Sequence, residues 1–101
     1  MILEVIILNV KTGAEQEFES TLRQASHLIA SAKGYRSHEL HHCLEKVGKY
    51  LLLVKWDTLE DHTIGFRQSP EYQVWKQLLH HFYDPLPVVE HFSEVLRYPK
   101  A

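Results

Sequence analysis

A chain of 101 residues, 45% apolar and 24% charged, is too ordinary in make-up to be disordered and holds one domain, expected over residues 1–101. A single cysteine, Cys43, excludes an internal disulfide and fits a reducing compartment, so the cytoplasm is the expected location. A formal net charge of −2, with acids and bases interspersed, excludes the basic stripe of a nucleic-acid partner.

The first segment, Ile2 to Val10, is rich in Ile, Leu and Val and interrupted by Glu4. A bilayer span needs about 20 apolar residues. A leader would carry a basic start and a small-residue cleavage site. Neither pattern is present, so no membrane partner is expected, and the segment reads as a strand apolar on both faces.

Thr12 with Glu15 three residues on forms a capping box, which predicts a helix start there. Phe18, Leu22, Ala25 and Ile29 make its apolar face, and Gly34 is placed to end it. Arg36 to Leu44 reads as a second strand, and Glu45 to Lys49, containing Gly48, as a hairpin loop. Tyr50 to Trp56 is the third strand, again apolar on both faces. Thr58 can cap a second helix that Gly65 weakens, and Ser69-Pro70 restarts it with serine as N-cap and proline at the first helical position. Tyr72, Trp75, Leu78, Leu79 and Phe82 supply its apolar face. Asp84-Pro85-Leu86-Pro87 stops it, and Val88 to Leu96 is the fourth strand.

The order β-α-β-β-α-β is the split βαβ pattern of an α+β, ferredoxin-like domain, an antiparallel sheet with helices on one face. Two strands apolar on both faces leave the other sheet face uncovered, and a second copy of the chain is the simplest cover. A homodimer is therefore expected.

Eight histidines stand out: His27, His38, His41, His42, His62, His80, His81 and His91. His38 and His42 share a strand face, but four strand residues span about 13 Å, too far for one metal ion. No CxxC, HExxH or DxDxDG pattern occurs, and no GxGxxG or GxxxxGK loop, so neither metal nor cofactor is expected. His80-His81 suits a helix C-terminus, while His27 and His91 carry no readable signal. With a five-residue hairpin loop, His38 would face Trp56, and His62 could reach in from the second helix.

The string Tyr50-Leu51-Leu52-Leu53-Val54-Lys55-Trp56-Asp57, followed by a short helix and Ser69-Pro70-Glu71-Tyr72, resembles the antibiotic-biosynthesis-monooxygenase-type domain of the dimeric α/β-barrel superfamily. The resemblance covers nearly the whole chain. It implies two subunits that press their sheets into a barrel, each keeping a pocket between sheet and helices. Members include monooxygenases that oxidise phenols or quinols without metal or flavin, haem-degrading enzymes and isomerases. Several of the cofactor-free monooxygenases use an Asn on strand one, matched by Asn9, and a Trp ending strand three, matched by Trp56. They use a second Asn four residues before that Trp, where this chain has Leu52. Some place a Tyr six residues after the Trp, where it has His62. Other branches carry a His three residues before Ser-Pro, where it has Phe66, so haem binding is not expected.

The resemblance thus implies a cofactor-independent monooxygenase of a small aromatic, a phenol or quinol. Trp56 would be the pocket wall, Asn9 the oxyanion or oxygen binder, and His62 or His38 the proton acceptor. Leu52 favours the alternative, a non-catalytic homodimeric module binding a small ligand.

Overall fold

The apolar alternation becomes strand and helix largely as the pattern predicts. A computed structural model describes residues 1–100. The elements are β1 (Ile2–Asn9), α1 (Glu15–Ala30), β2 (Tyr35–His42), β3 (Lys49–Trp56), a π-helical turn (Asp61–Phe66), α2 (Pro70–Leu79) and β4 (Val89–Ser93). The strands form one antiparallel sheet in the order β2-β3-β1-β4, with both helices on one face: a ferredoxin-like α+β fold.

Period-two alternation decides which side chains meet the helices. On β1 these are Glu4, Ile6 and Leu8, and on β3 Tyr50, Leu52, Val54 and Trp56, all buried. They close on Phe18, Leu22, Ala25 and Ile29 of α1 and on Trp75 and Leu79 of α2. Leu78, expected on that face, is instead 40% exposed.

Several local expectations are corrected. Helix α1 begins at Glu15 with Ala14 as N-cap, not at Thr12. Gly13, at φ +87°, turns the chain there, and its N–H donates to Glu15 Oε1 at 3.0 Å. Helix α1 also ends at Ala30, short of Gly34. Gly34, at φ +81°, opens β2 instead: its carbonyl accepts from Asp57 N at 2.8 Å, and a Cβ there would collide with the Asp61 carboxylate. β2 stops at His42, and the hairpin closes where Cys43 N donates to Lys49 O at 2.8 Å. His42 therefore pairs with Tyr50, Leu40 with Leu52 and His38 with Val54, a register moved by two residues from the expected one. An even shift keeps every side chain on its face. A bulge between Tyr35 and Ser37 then sets Tyr35, not His38, opposite Trp56. β4 ends at Ser93 rather than Leu96, because Ser93 already pairs with Ile2, the first residue of β1.

The second helical region breaks where Ser69-Pro70 predicts. Ser69 is extended (ψ 155°), and its Oγ accepts from Tyr72 N at 3.1 Å and donates to Phe66 O at 2.6 Å. Ahead of it, Asp61 N donates to Thr58 Oγ1 at 3.1 Å, and the chain widens into the π-turn, with Arg67 N on His62 O at 3.1 Å. Such turns bring one extra residue into a helical circuit and recur at functional sites. Here the turn buries His62 and Phe66.

Candidate functional site

Glu4 stands alone as a charged residue in an apolar strand, and its alternation with Ile6 and Leu8 sends it inward. It is 3% exposed, as is His62. Trp56, ending β3, donates its indole N–H to Glu4 Oε1 at 2.8 Å. The Trp56 and His62 rings stack, with centroids 5.3 Å apart at 22°. His62 Nε2 lies 3.4 Å from Glu4 Oε2, and His62 Nδ1 shares a 2.8 Å hydrogen bond with Nε2 of His91 on β4. Three strands and the π-turn thus build one cluster: Glu4, Trp56, His62 and His91.

Its electrostatics follow from dryness. Burial raises the Glu4 carboxyl from 4.5 to about 7, against the Trp56 hydrogen bond and the Arg67 charge, which lower it. Burial pushes His62 down from 6.5 to about 3, aided by Arg67 and His91. His91 is lowered for the same reasons, burial first and Arg67 second. A charged Glu4–His62 pair would pull the two values the other way. At 3.4 Å the contact is longer than the 2.7–2.9 Å of charge-assisted bonds, and the neutral pair, with the proton on Glu4, is the form this interior favours.

Glu4 and His62 open onto a cavity of about 50 Å³ between sheet and helices, lined also by Ile6, Leu52, Phe66, Arg67, Tyr72 and Trp75. Phe66 meets Tyr72 and Trp75 edge-on, with centroids at 5.4 and 6.0 Å. The result is an aromatic chamber with an acid and an imidazole in its wall. Leu52 makes apolar the spot where the resemblance implies an amide, and Glu4, on the adjacent strand and the same face, puts a polar group back nearby.

The four residues singled out from sequence fare differently. Trp56 and His62 come together, though Trp56 lies behind His62 and Phe66, wholly buried, rather than facing the cavity. Asn9 does not join them. As an odd-numbered β1 residue it points to the opposite face, exposed, in a groove with Val5, Ile7 and Pro85. His38 is on the helix face but one step away. Ser26 Oγ donates to Leu22 O, so it accepts from His38 Nε2 at 2.9 Å, and the Tyr35 hydroxyl donates to His38 Nδ1 at 2.6 Å. Both its nitrogens are occupied, and burial lowers its pKa. It reaches Trp56 only through Tyr35, whose ring meets the indole edge-on at 6.1 Å. His38 belongs instead to a separate groove with Glu19, Arg23, His42 and Tyr50.

Sequence reasoning missed Glu4 and His91. Parity could have found Glu4: a carboxylate in register with Ile6 and Leu8 must be buried, and a buried carboxylate needs a donor. Nothing local marks His91, which earns its place only when β4 docks beside β1. Among the described residues no group of three His, Cys, Asp or Glu is arranged to hold a metal ion, and no helix is long and apolar enough to cross a membrane.

The fold and the cluster together define a class: a ferredoxin-like domain with an acid–imidazole pair set in an aromatic chamber between sheet and helices. The sequence profile of the antibiotic biosynthesis monooxygenases matches residues 1–78, and the chain belongs to that family. It is 58% identical over 95 residues to the uncharacterized protein YczJ of Bacillus subtilis, covering 94% of this chain and all of that one. Its fold superposes with a TM-score of 0.90 on a Bordetella bronchiseptica protein assigned to the antibiotic biosynthesis monooxygenases, at 35% identity over 94% of this chain and 97% of that one. SnoaB of Streptomyces nogalater, a cofactor-independent oxygenase, shares the fold with a TM-score of 0.79 at 22% identity, over 98% and 97% of the two chains.

Proposed function

We propose that this chain is a cofactor-independent monooxygenase of a small phenol or quinol, working as a cytoplasmic homodimer. The observation that carries the reading is the buried Glu4 carboxyl 3.4 Å from the buried His62 imidazole in the wall of an aromatic chamber, where burial lifts the carboxyl from 4.5 to about 7. A general base is most effective with its pKa near the working pH. Glu4 takes the substrate's hydroxyl proton, Trp56 holds the carboxylate in place, and His62 stacks on the indole and lines the chamber. Asn9 has no part in this site, and His38 supports it only through Tyr35.

The electron-rich anion then reduces dioxygen. The substrate gains one oxygen atom and loses two hydrogens, and the other oxygen leaves as water carrying them. All four electrons come from the substrate, and the dry chamber keeps the anion unhydrated. A cavity of about 50 Å³ is well below the roughly 300 Å³ of small ligand pockets, so the chamber has to widen to take a phenol, and the exposed Arg67 is among its lining residues.

The test is oxygen uptake by metal-free protein with a panel of phenols and quinols. A substrate is expected whose kcat/KM rises with pH to a plateau above about 7 and falls at least tenfold in Glu4→Gln. Uptake equal in wild type and Glu4→Gln refutes the assignment. The small cavity and the apolar Leu52 favour the second reading, a ligand-binding module. Saturable binding of a phenol with no oxygen consumed would establish it.

The dimer rests on the outer sheet face. There Leu3, Val5, Leu51 and Leu53 are half-buried, and Ile7 and Phe92 are 47% and 50% exposed. Sedimentation at micromolar concentration should give a dimer, and Ile7→Glu a monomer, because a charge in a closed apolar interface is costly. A monomeric wild type refutes it.

A further inference from the structure

The cluster does not stop at the chamber wall. His62 is buried, but its partner His91 is partly exposed and does not line the cavity. Three ionisable side chains are therefore linked between the chamber and the surface: Glu4 on β1, His62 on the π-turn and His91 on β4, where His91 is also the cross-strand partner of Glu4 but contacts its carboxylate only through His62. The contacts between them are 3.4 Å and 2.8 Å. A buried acid, 3% exposed, that exchanges its proton with solvent does so through such a path.

We propose that Glu4, His62 and His91 form a proton relay joining the chamber to solvent, with His91 as its outer terminus. This rests on the base role proposed for Glu4. Glu4 gives its proton to His62 Nε2 as His62 releases its Nδ1 proton to His91 Nε2, and His91 releases its own Nδ1 proton to water. One proton enters from the substrate hydroxyl and one leaves to solvent, with no electron moved. The peroxide anion formed on oxygen addition recovers a proton by the reverse path, which restores both ring tautomers. The Glu4–His62 contact must shorten for transfer, as catalytic hydrogen bonds commonly do once substrate binds.

The two groups that act on the relay, Trp56 and Arg67, have consistent parts. Trp56 donates to the Glu4 oxygen turned away from His62. Arg67 disfavours protonation of both imidazoles. His91 is a positioning and transfer residue rather than a catalytic one, because it touches neither the cavity nor the reacting atoms.

The relay is testable without a substrate. The protonated Glu4 carboxyl has its own infrared carbonyl band, absent in Glu4→Gln, and its loss can be followed after a rapid pH jump from 5 to 9. In His91→Ala the loss should slow at least tenfold with the final extent unchanged. Added imidazole should restore the rate, whereas a merely structural role predicts no rescue. His91→Gln, which keeps a hydrogen-bonding side chain but cannot carry a proton, should be as slow as His91→Ala. Nitrogen NMR at pH 6.5, where Glu4 still holds its proton and with His91 shown neutral by its own nitrogen shifts, should show His62 protonated at Nδ1. A wild-type rate in either variant, or His62 protonated at Nε2, overturns the relay. If Glu4 titrates through His91 while no phenol is oxidised, the oxygenase reading fails and the relay stands.

Discussion

Replacing Glu4 with glutamine should stabilise the protein at alkaline pH. The isosteric amide keeps its carbonyl for the Trp56 N–H and presents its NH2 to His62 Nε2, so both neighbours remain paired. The folded-state pKa of Glu4 is about 7 against an ordinary 4.5. Between those values the native state holds a proton that the unfolded state has lost, so the Glu4 contribution to stability falls as pH rises through that window. Below 4.5 both states are protonated and the penalty is absent; above about 7 neither is, and it is complete. The gap corresponds to about 3 kcal/mol. At pH 4.5 wild type and Glu4→Gln should match closely. At pH 8.5 the variant should be more stable by about 3 kcal/mol, a rise in Tm of roughly 12–24 °C for a domain of this size. His62 titrates in both proteins, so their difference isolates Glu4. The assay is urea unfolding followed by tryptophan fluorescence at pH 4.5, 6, 7 and 8.5, at one protein concentration. A difference that does not change with pH, or a variant weaker than wild type at pH 8.5, refutes the reasoning.

Trp56→Phe removes the one side-chain hydrogen bond that lowers the Glu4 pKa, so the Glu4 carboxyl should titrate above 7 in that variant. Carbon NMR of the labelled carboxyl reads this directly, and an unchanged or lower midpoint would count against the role given to the indole. Ser69→Ala removes both the N-cap of α2 and the link to Phe66 O, and should cost about 1–2 kcal/mol in chemical unfolding. A change within error would mean that the junction holds without its cap. Gly34→Ala combines a disfavoured positive φ with a collision at Asp61, and should lower Tm by several degrees, roughly 1 kcal/mol or more.

Element order, the inward face of α1, the Trp75 and Leu79 positions of α2 and the break at Ser69-Pro70 were legible because each depends on spacing along the chain. Phe18, Leu22, Ala25 and Ile29 are buried as their spacing predicts, and Ser69 caps α2 as its type predicts. Family membership was legible too, from the Tyr50–Asp57 string and Ser69-Pro70. Details set by geometry between elements were not. The hairpin closed two residues earlier than expected and moved His38 off Trp56, since loop length alone does not determine register. Asn9 was grouped with Trp56 by family position, although the alternation of β1 sends it to the opposite face.

The chain by itself thus determined a β-α-β-β-α-β domain with one greasy sheet face turned to its helices and a second face left open. Periodicity and local chemistry suffice for that, because hydrophobic spacing, caps and breakers act over a few residues. Only the tertiary structure decided the site. Glu4, the Trp56–His62 pair and His91 lie far apart in sequence and meet because β1 runs between β3 and β4 while the π-turn folds over them. Their protonation states depend on being removed from water together, which no residue's neighbours in sequence can report.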